Sequence, residues 1–266
     1  MRFIIDKSES AAFNMAADIY LLEQDGGVTV RFYSWERACI TIGYMQKAGD
    51  ELDLPILRDR GVDWIRRVTG GRAVLHEGDI TYSCVFPKSM AVMGGSIAQT
   101  YRLISKCLMA GLSAASIDCG AHDSELDIRG IPRDAKLPCF LAPSRDEIMT
   151  GGRKLIGSAQ KRTAEAVLQH GSIPVTDAYR KLPEYLNVDA SKKEALLRLL
   201  TAKSCCVNEL ILGGTATFEY LAKHLMGGFS SVLPFESQII PWSAEERRDI
   251  ESMMRSDDFI TRWMTP

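Results

Sequence analysis

Hydrophobic and polar positions along this chain switch between a period of two and a period near 3.6, and each switch marks an element. Residues 2–5 read as a short strand. Ser10 is a good helix N-cap, and Phe13, Ala16, Ala17, Tyr20 and Leu21 follow on one face at helical spacing. Two β-branched and aromatic runs, 28–33 and 39–44, flank a short polar turn and predict a hairpin. Residues 52–60 predict a helix and 62–68 a strand that Thr69-Gly70-Gly71 breaks. Strands are expected at 73–76 and 80–86 around a turn at Glu77-Gly78-Asp79. A helix follows at 95–112, with Ile97, Tyr101, Ile104, Leu108 and Leu112 as its stripe. Residues 119–138 are irregular, rich in charge and carry Gly120, Gly130, Pro132 and Pro138; a loop this long in a compact domain is usually functional or mobile. It leads into Cys139. A second hairpin is predicted from 147–149 and 154–160 around Gly151-Gly152, a pair suited to a tight primed turn, with a further strand at 166–175. After Thr176 the pattern is helical, at 191–200, 215–224 and 243–255. This order predicts an α/β (α+β) protein with a mixed, largely antiparallel sheet and helices on one side. We read 1–266 as a single catalytic domain, with a core over roughly 1–180 and a helix-rich part over roughly 181–266.

Composition narrows the classes. Hydrophobic residues at 46% and charged residues at 25% are globular values, which excludes disordered and collagen-like chains. A net charge of −2 offers no bulk attraction for nucleic acid or an anionic membrane surface, so neither is expected as a partner. No apolar run approaches the roughly 20 residues of a spanning helix, and the first residues do not read as a signal peptide. The seven cysteines are odd in number, irregularly spaced and without a Cys-x-x-Cys pair; the four histidines are scattered. No metal site is expected, and reduced thiols in a cytoplasmic protein are.

Four segments carry candidate chemistry. Cys139 sits in Pro138-Cys139-Phe140-Leu141-Ala142-Pro143-Ser144, fifteen positions before Lys154. A free thiol has a pKa of about 8.5, so a thiolate nucleophile needs a positive neighbour or a dipole. An arbitrary cysteine is more often a small packed hydrophobe. The second segment, Arg66-Arg67-Val68-Thr69-Gly70-Gly71-Arg72-Ala73-Val74-Leu75-His76, joins paired glycines to arginines; it suits a phosphate or an acyl carbonyl, although a Gly-Gly turn by itself needs no ligand. The third, Gly152-Arg153-Lys154-Leu155-Ile156-Gly157-Ser158-Ala159-Gln160, places a lysine before small residues that leave room for an extended substrate. That lysine can steer an anion, orient a carbonyl or hold a thiolate; a lone lysine beside a hairpin is more often a solvated charge. The fourth, Gln169-His170-Gly171-Ser172, offers a histidine that is either a general base or a structural group, with the structural role favoured; His76 presents the same choice.

Together Arg-Arg-x-Thr-Gly-Gly-Arg-x-Val-x-His, Lys-x-x-Gly-Ser-Ala-Gln and Gln-His-Gly-Ser resemble the signature of the lipoate–protein ligase and octanoyltransferase superfamily. Residues 12–16, 31–35, 41–46 and 207–210 extend the resemblance over most of the chain. It implies a fold shared with biotin–protein ligases and class II aminoacyl-tRNA synthetase cores. It also implies substrate-binding roles for Arg66, Arg67, Thr69, Gly70, Gly71, Arg72, His76, Gly157, Ser158, Gln160, His170 and Gly171.

Within that superfamily the context of Cys139 is similar to the nucleophile segment of the cysteine-dependent octanoyltransferases of the Gram-positive type. Arg72 stands where typical ligases have a third glycine, and the extra C-terminal domain of many ligases is not expected. Cys205 and Cys206 do not match the Pro-Cys-Gly context of a second octanoyltransferase class. The implied chemistry moves an octanoyl group from octanoyl–acyl carrier protein to Cys139 and then to a lysine of a lipoyl-domain protein or glycine-cleavage H protein. Lys154 would lower the thiol pKa or orient the carbonyl. Backbone N–H groups near Gly70-Gly71 or Gly157-Ser158 would hold the oxyanion. No cofactor is expected; ATP and Mg would enter only for the alternative, an ATP-dependent lipoate–protein ligase. A non-catalytic lipoyl-protein-binding member is the further alternative.

Overall fold

The structure is a computed structural model that describes residues 1–24, 26–122, 138–141, 147–211 and 214–266. Its strands are β1 (Arg2–Glu9), β2 (Thr29–Trp35), β3 (Cys39–Ile42), β4 (Asp63–Arg66), β5 (Val74–His76), β6 (Asp79–Pro87), β7 (Gly120–His122), β8 (Glu147–Thr150), β9 (Arg153–Arg162), β10 (Ala166–Pro174) and β11 (Gln238–Ile239). Eight of them form one sheet in the order β11-β1-β2-β6-β10-β9-β8-β7, and the other three form a small sheet ordered β4-β3-β5. β11 and β2 run parallel to β1, and the remaining pairs of the large sheet are antiparallel.

The seven main helices are α1 (Ala11–Glu23), α2 (Ala48–Glu51), α3 (Leu54–Arg60), α4 (Ile97–Ala114), α5 (Ala190–Lys203), α6 (Phe218–Val232) and α7 (Ala244–Met254). Ser10 caps α1 by accepting from the Phe13 N–H, as its position suggested. Ser96 and Gln99 close a capping box on α4. Helices cover both faces of the large sheet, not one. Ile104, Leu108 and Leu112 of α4 and Leu221, Leu225 and Phe229 of α6 pack with Phe32, Tyr82 and Phe86. On the other face, α1 packs with Val85, Leu168 and Ile250 of α7. The predicted stripe of α4 is buried at Ile104, Leu108 and Leu112, while Ile97 is exposed at the first turn.

The hairpin expected from 28–44 does not form. β2 pairs with β1 and β6, whereas β3 belongs to the small sheet and pairs with β4 and β5. The chain likewise leaves the small sheet at β5 and enters the large one at β6, through the turn at Gly78. The second predicted hairpin does form between β8 and β9. Gly151 and Gly152 have φ of 53° and 76°, so both turn residues are left-handed, as a primed two-residue turn requires. Of the expected irregular stretch 119–138, residues 120–122 are β7, at the edge of the large sheet; 123–137 lie outside the described residues. No helix among the described residues is long and apolar enough to cross a membrane.

Candidate active site

A cleft opens where the small sheet meets β9 and β10. Its floor is a run of small residues: Gly157 and Ser158 on β9 pair in register with Ser172 and Gly171 on β10. Gly171 has no alternative, because a Cβ there would lie 2.5 Å from the Gly157 carbonyl oxygen and 2.8 Å from the Tyr82 ring. Met15, Tyr33, Trp35 and Val74 give the cleft apolar walls. Trp35 stacks on the His76 ring with centroids 4.2 Å apart.

Cys139 opens a 3-10 turn, Cys139–Leu141, and its backbone N–H donates to the Ala73 carbonyl at 3.0 Å. Phe140 and Leu141 anchor this turn in a core shared with Tyr179, Leu196 and Leu200. The thiol points over the floor: Cys139 Sγ lies 3.8 Å from where a Cβ on Gly157 would be. Among seven free cysteines it is the one that lines the cleft. Burial pushes the thiols of Cys39 and Cys84 well up, those of Cys107 and Cys205 to about 12, and that of Cys119 to about 11. Those thiols are held in the unreactive form.

Lys154 meets Cys139, but at its main chain. Nζ donates to the Cys139 carbonyl oxygen at 3.0 Å and forms a buried ion pair with Glu147 of β8. Burial raises the Glu147 pKa, and the charge of Lys154 and its hydrogen bond pull it back down. Lys154 therefore fixes the Cys139 carbonyl, with part of its charge balanced by the carboxylate.

Arg67 lies inside the cleft wall, buried, and laces the glycine loop together. It donates to the carbonyls of Thr41, Gly70 and Arg72 and to the hydroxyls of Thr41 and Thr69. Gly71 takes φ of 98°, and a Cβ there would meet Arg67 Nη2 at 2.7 Å. Burial lowers the Arg67 pKa, and the Cys139 thiolate acts in the opposite sense. The loop itself, Gly70, Gly71 and Arg72, is exposed.

The two histidines face the cleft with matching partners. His76 Nδ1 is 2.8 Å from Asp79 Oδ2, and its Nε2 is 2.9 Å from Thr41 Oγ1. His170 Nδ1 is 2.8 Å from Asp18 Oδ2, and its Nε2 is 2.7 Å from Thr69 Oγ1. An ionised carboxylate only accepts, so Nδ1 carries the proton in each ring. In a neutral ring Nε2 then accepts from the threonine hydroxyl, and both nitrogens are engaged. This is the structural role for both histidines.

Four expected substrate contacts do not line the cleft. Arg66 turns to a separate groove, where Nε donates to the Gln46 carbonyl at 3.2 Å and Nη1 to the Arg262 carbonyl at 2.6 Å. Gln160 bonds Gln169 and Arg162 rather than lining the cleft. Arg72 contributes its carbonyl to Arg67. Thr69 acts from behind the wall, through His170 and Arg67.

Sequence reasoning missed Asp18, Thr41, Asp79, Glu147 and Trp35. The available signal was a carboxylate at Asp18 in a helix buried nearly all round, where an ionisable group needs a partner. Among the described residues, no three His, Cys, Asp or Glu side chains are grouped to hold a metal ion.

The profile of the lipoyl protein ligase A/B catalytic domain matches residues 10–229. The chain is 36% identical over 252 residues to an octanoyltransferase LipM from Kyrpidia tusciae, covering 92% of this chain and 91% of that protein. It is 35% identical to an octanoyltransferase LipM from Geobacillus kaustophilus, over 98% and 96% of the two chains. Among solved structures, lipoate-protein ligase A bound with ATP superposes with a TM-score of 0.73 at 22% identity, over 95% and 93% of the chains. A bipartite lipoate protein ligase from Thermoplasma acidophilum gives 0.76 at 18% identity, over 97% and 94%. At such identities the two structures speak for the fold. The chain belongs to the lipoyl protein ligase A/B catalytic domain family.

Proposed function

We propose that the protein is an octanoyltransferase of lipoate biosynthesis that carries the acyl group on Cys139. Full-length relatives named octanoyltransferase support the reaction class over the ATP-dependent ligase. The observation that carries the nucleophile is the position of Cys139 Sγ, over the small-residue floor of an apolar-walled cleft. In the first step the thiolate attacks the thioester carbonyl of octanoyl–acyl carrier protein. A new S–C bond forms at Cys139, the carrier's S–C bond breaks, and the carrier leaves as its thiolate to take up a proton. In the second step the neutral ε-amine of a lysine on a lipoyl-domain protein, or on a glycine-cleavage H protein, attacks the acyl-enzyme. The amide N–C bond forms, the nitrogen gives up a proton, and Cys139 is released. Replacing one thioester by another is nearly balanced, while amide formation draws the sequence forward.

The cleft's parts fit these steps. Tyr33, Trp35, Met15 and Val74 offer apolar surface to the octyl chain, where each buried CH₂ contributes about 0.8 kcal/mol. The main chain at Gly157–Ser158, beside Sγ, and the exposed Gly70–Gly71 stretch are the sources of N–H donors for the oxyanion. Lys154 holds the Cys139 carbonyl and so the orientation of the turn that presents the thiol. No step needs ATP or Mg, and the free thiols accord with a reducing cytoplasm.

Intact mass of the protein incubated with octanoyl–acyl carrier protein, without ATP, is expected to gain one octanoyl group. The Cys139→Ala variant is expected to gain none. Equal acylation of that variant, or an unmodified wild type, refutes the reading; transfer seen only with free lipoate and ATP assigns the protein to the ligases.

A further inference from the structure

The floor of the cleft runs across the large sheet. Gly157 on β9 stands opposite Ser172 on β10, Ser172 opposite Thr81 on β6, and Thr81 opposite Tyr33 on β2. All four line the cleft, and Cys139 Sγ sits at the Gly157 end. Neighbouring strands lie about 4.8 Å apart, so the row extends roughly 14 Å from that glycine. An extended chain advances about 1.3 Å per bond, so the eighth carbon of an acyl group on the sulfur lies about 10 Å along the row. That is the level of Thr81, with Tyr33 beyond it.

Serine, threonine and tyrosine make this row polar by composition, yet their hydrogens are turned into the protein. Ser172 Oγ donates to Asp79 Oδ2 at 2.6 Å, and Thr81 Oγ1 donates to the same oxygen at 3.1 Å. Tyr33 Oη donates to Asp18 Oδ2 at 3.3 Å. Trp35 Nε1–H donates to Thr81 Oγ1 at 2.9 Å, so this hydroxyl both gives and accepts a hydrogen bond. Thr41, His76 and His170 are engaged at the hydroxyl and at all four ring nitrogens. Arg67 is held by carbonyl and hydroxyl oxygens, and Ser158 Oγ turns to the Tyr82 hydroxyl at 2.8 Å. Among the described residues, no side-chain donor of the row is left for a ligand.

We propose that the cleft selects acyl chains without oxygen at their far end, and that Thr81 is a specificity-determining residue because it holds the Trp35 N–H. The inference deepens the octanoyltransferase reading and rests on Cys139 carrying the chain. A chain oxygen at the level of Thr81 would give up water and meet no free donor, and burying a hydroxyl without a partner is unfavourable. A merely apolar slot would also reject oxygen, and the two explanations part at Thr81. Thr81→Val keeps the side-chain shape and makes the slot more apolar. It also removes the acceptor of the indole N–H, which becomes a free donor beside the end of the chain.

The test is an intact-mass time course of loading from acyl carrier protein charged with octanoyl, nonanoyl or 8-hydroxyoctanoyl groups. The last two have the same length and end in CH₃ or OH. Wild type is expected to load 8-hydroxyoctanoyl about 100-fold more slowly than nonanoyl. In Thr81→Val the gap is expected to narrow to about tenfold or less, although the slot has become more apolar. Equal wild-type rates, or a gap in Thr81→Val as wide as in wild type, overturn the proposal. Should Thr81→Val not fold, Thr81→Ser decides, since it keeps the hydroxyl: the wild-type gap supports the proposal and equal rates overturn it. A wild type that takes up no octanoyl group sinks the functional reading. The slot is then read by protection of Cys139 from iodoacetamide, comparing nonanamide with 8-hydroxyoctanamide. A ratio of protecting concentrations that narrows in Thr81→Val supports the inference, and an unchanged ratio overturns it.

Discussion

Replacing Lys154 with methionine separates what this lysine does for the fold from what it does for chemistry. Both partners of its ion pair with Glu147 have side chains only 3% exposed. Removing one partner of a buried pair costs about 3–5 kcal/mol, because the other is left unpaired. The lost hydrogen bond to the Cys139 carbonyl adds about 1 kcal/mol that does not depend on pH. The remainder does depend on it. Burial raises the Glu147 pKa in the fold, and Lys154 restrains that rise. A carboxyl whose folded pKa is raised contributes stability that is complete below its unfolded pKa and lost as pH climbs through the folded one. Without Lys154 the rise is larger, so Lys154→Met loses more stability at high pH than at low. Where the folded carboxyl is protonated and the unfolded one ionised, the slope is about 1.4 kcal/mol per pH unit. Between about pH 5 and about pH 8 the additional loss is therefore at most about 4 kcal/mol. Urea denaturation followed by tryptophan fluorescence at the two pH values measures it. Glu147→Gln/Lys154→Met, which removes this buried carboxyl, is expected to lose the additional pH dependence. A destabilisation by Lys154→Met that is equal at both pH values refutes the reasoning.

Two glycines test the cleft floor. Gly171→Ala forces a Cβ to 2.5 Å from the Gly157 carbonyl oxygen, and strand repacking is expected to cost about 1–3 kcal/mol, read as a lowered thermal midpoint; an unchanged midpoint contradicts the packing. At Gly157 a Cβ stands 3.8 Å from Cys139 Sγ, ordinary contact, so Gly157→Ala is expected to fold and still accept an acyl group. The branches of Gly157→Val would fill the space in front of the sulfur and slow octanoyl loading about 100-fold in a mass time course; loading at the alanine rate would show that the acyl carbonyl approaches from another side.

Local patterns reported the elements well and their partners poorly, for a physical reason. Capping by Ser10 and the paired left-handed glycines at 151–152 are settled within a few residues, so the start of α1 and the β8–β9 hairpin were legible. Whether β2 turns back on β3 is settled by distant strands. β1 and β6 take both edges of β2, and no local pattern between residues 28 and 44 records that competition. The same holds for helices on two faces. An apolar stripe states that a helix has a buried side but not which side of the sheet receives it.

The site divides along the same line, and the division locates its charge. Cys139 and the small residue Gly157 are legible in the chain as a candidate thiol and as room for a substrate, and Gly171 enters through the resemblance; its close backbone approach is visible only in the fold. Spacing also joined Cys139 to Lys154, and the fold does bring them together, yet the amine reaches the carbonyl and not the sulfur. A residue fifteen positions away can meet either end of its partner, and only the turn at Cys139–Leu141, seated on Phe140 and Leu141, decides which. Lys154 pairs with Glu147, and Arg67, buried in the cleft wall, has no carboxylate within ion-pair distance among the described residues. Its restraints come from α1, β3, β6 and β10, elements spread over more than half the chain. Carboxylates that would have quenched the guanidinium are instead placed one histidine and one threonine away. They reach it only through the hydroxyls of Thr41 and Thr69, so the position of the guanidinium is set by residues that no local pattern groups together.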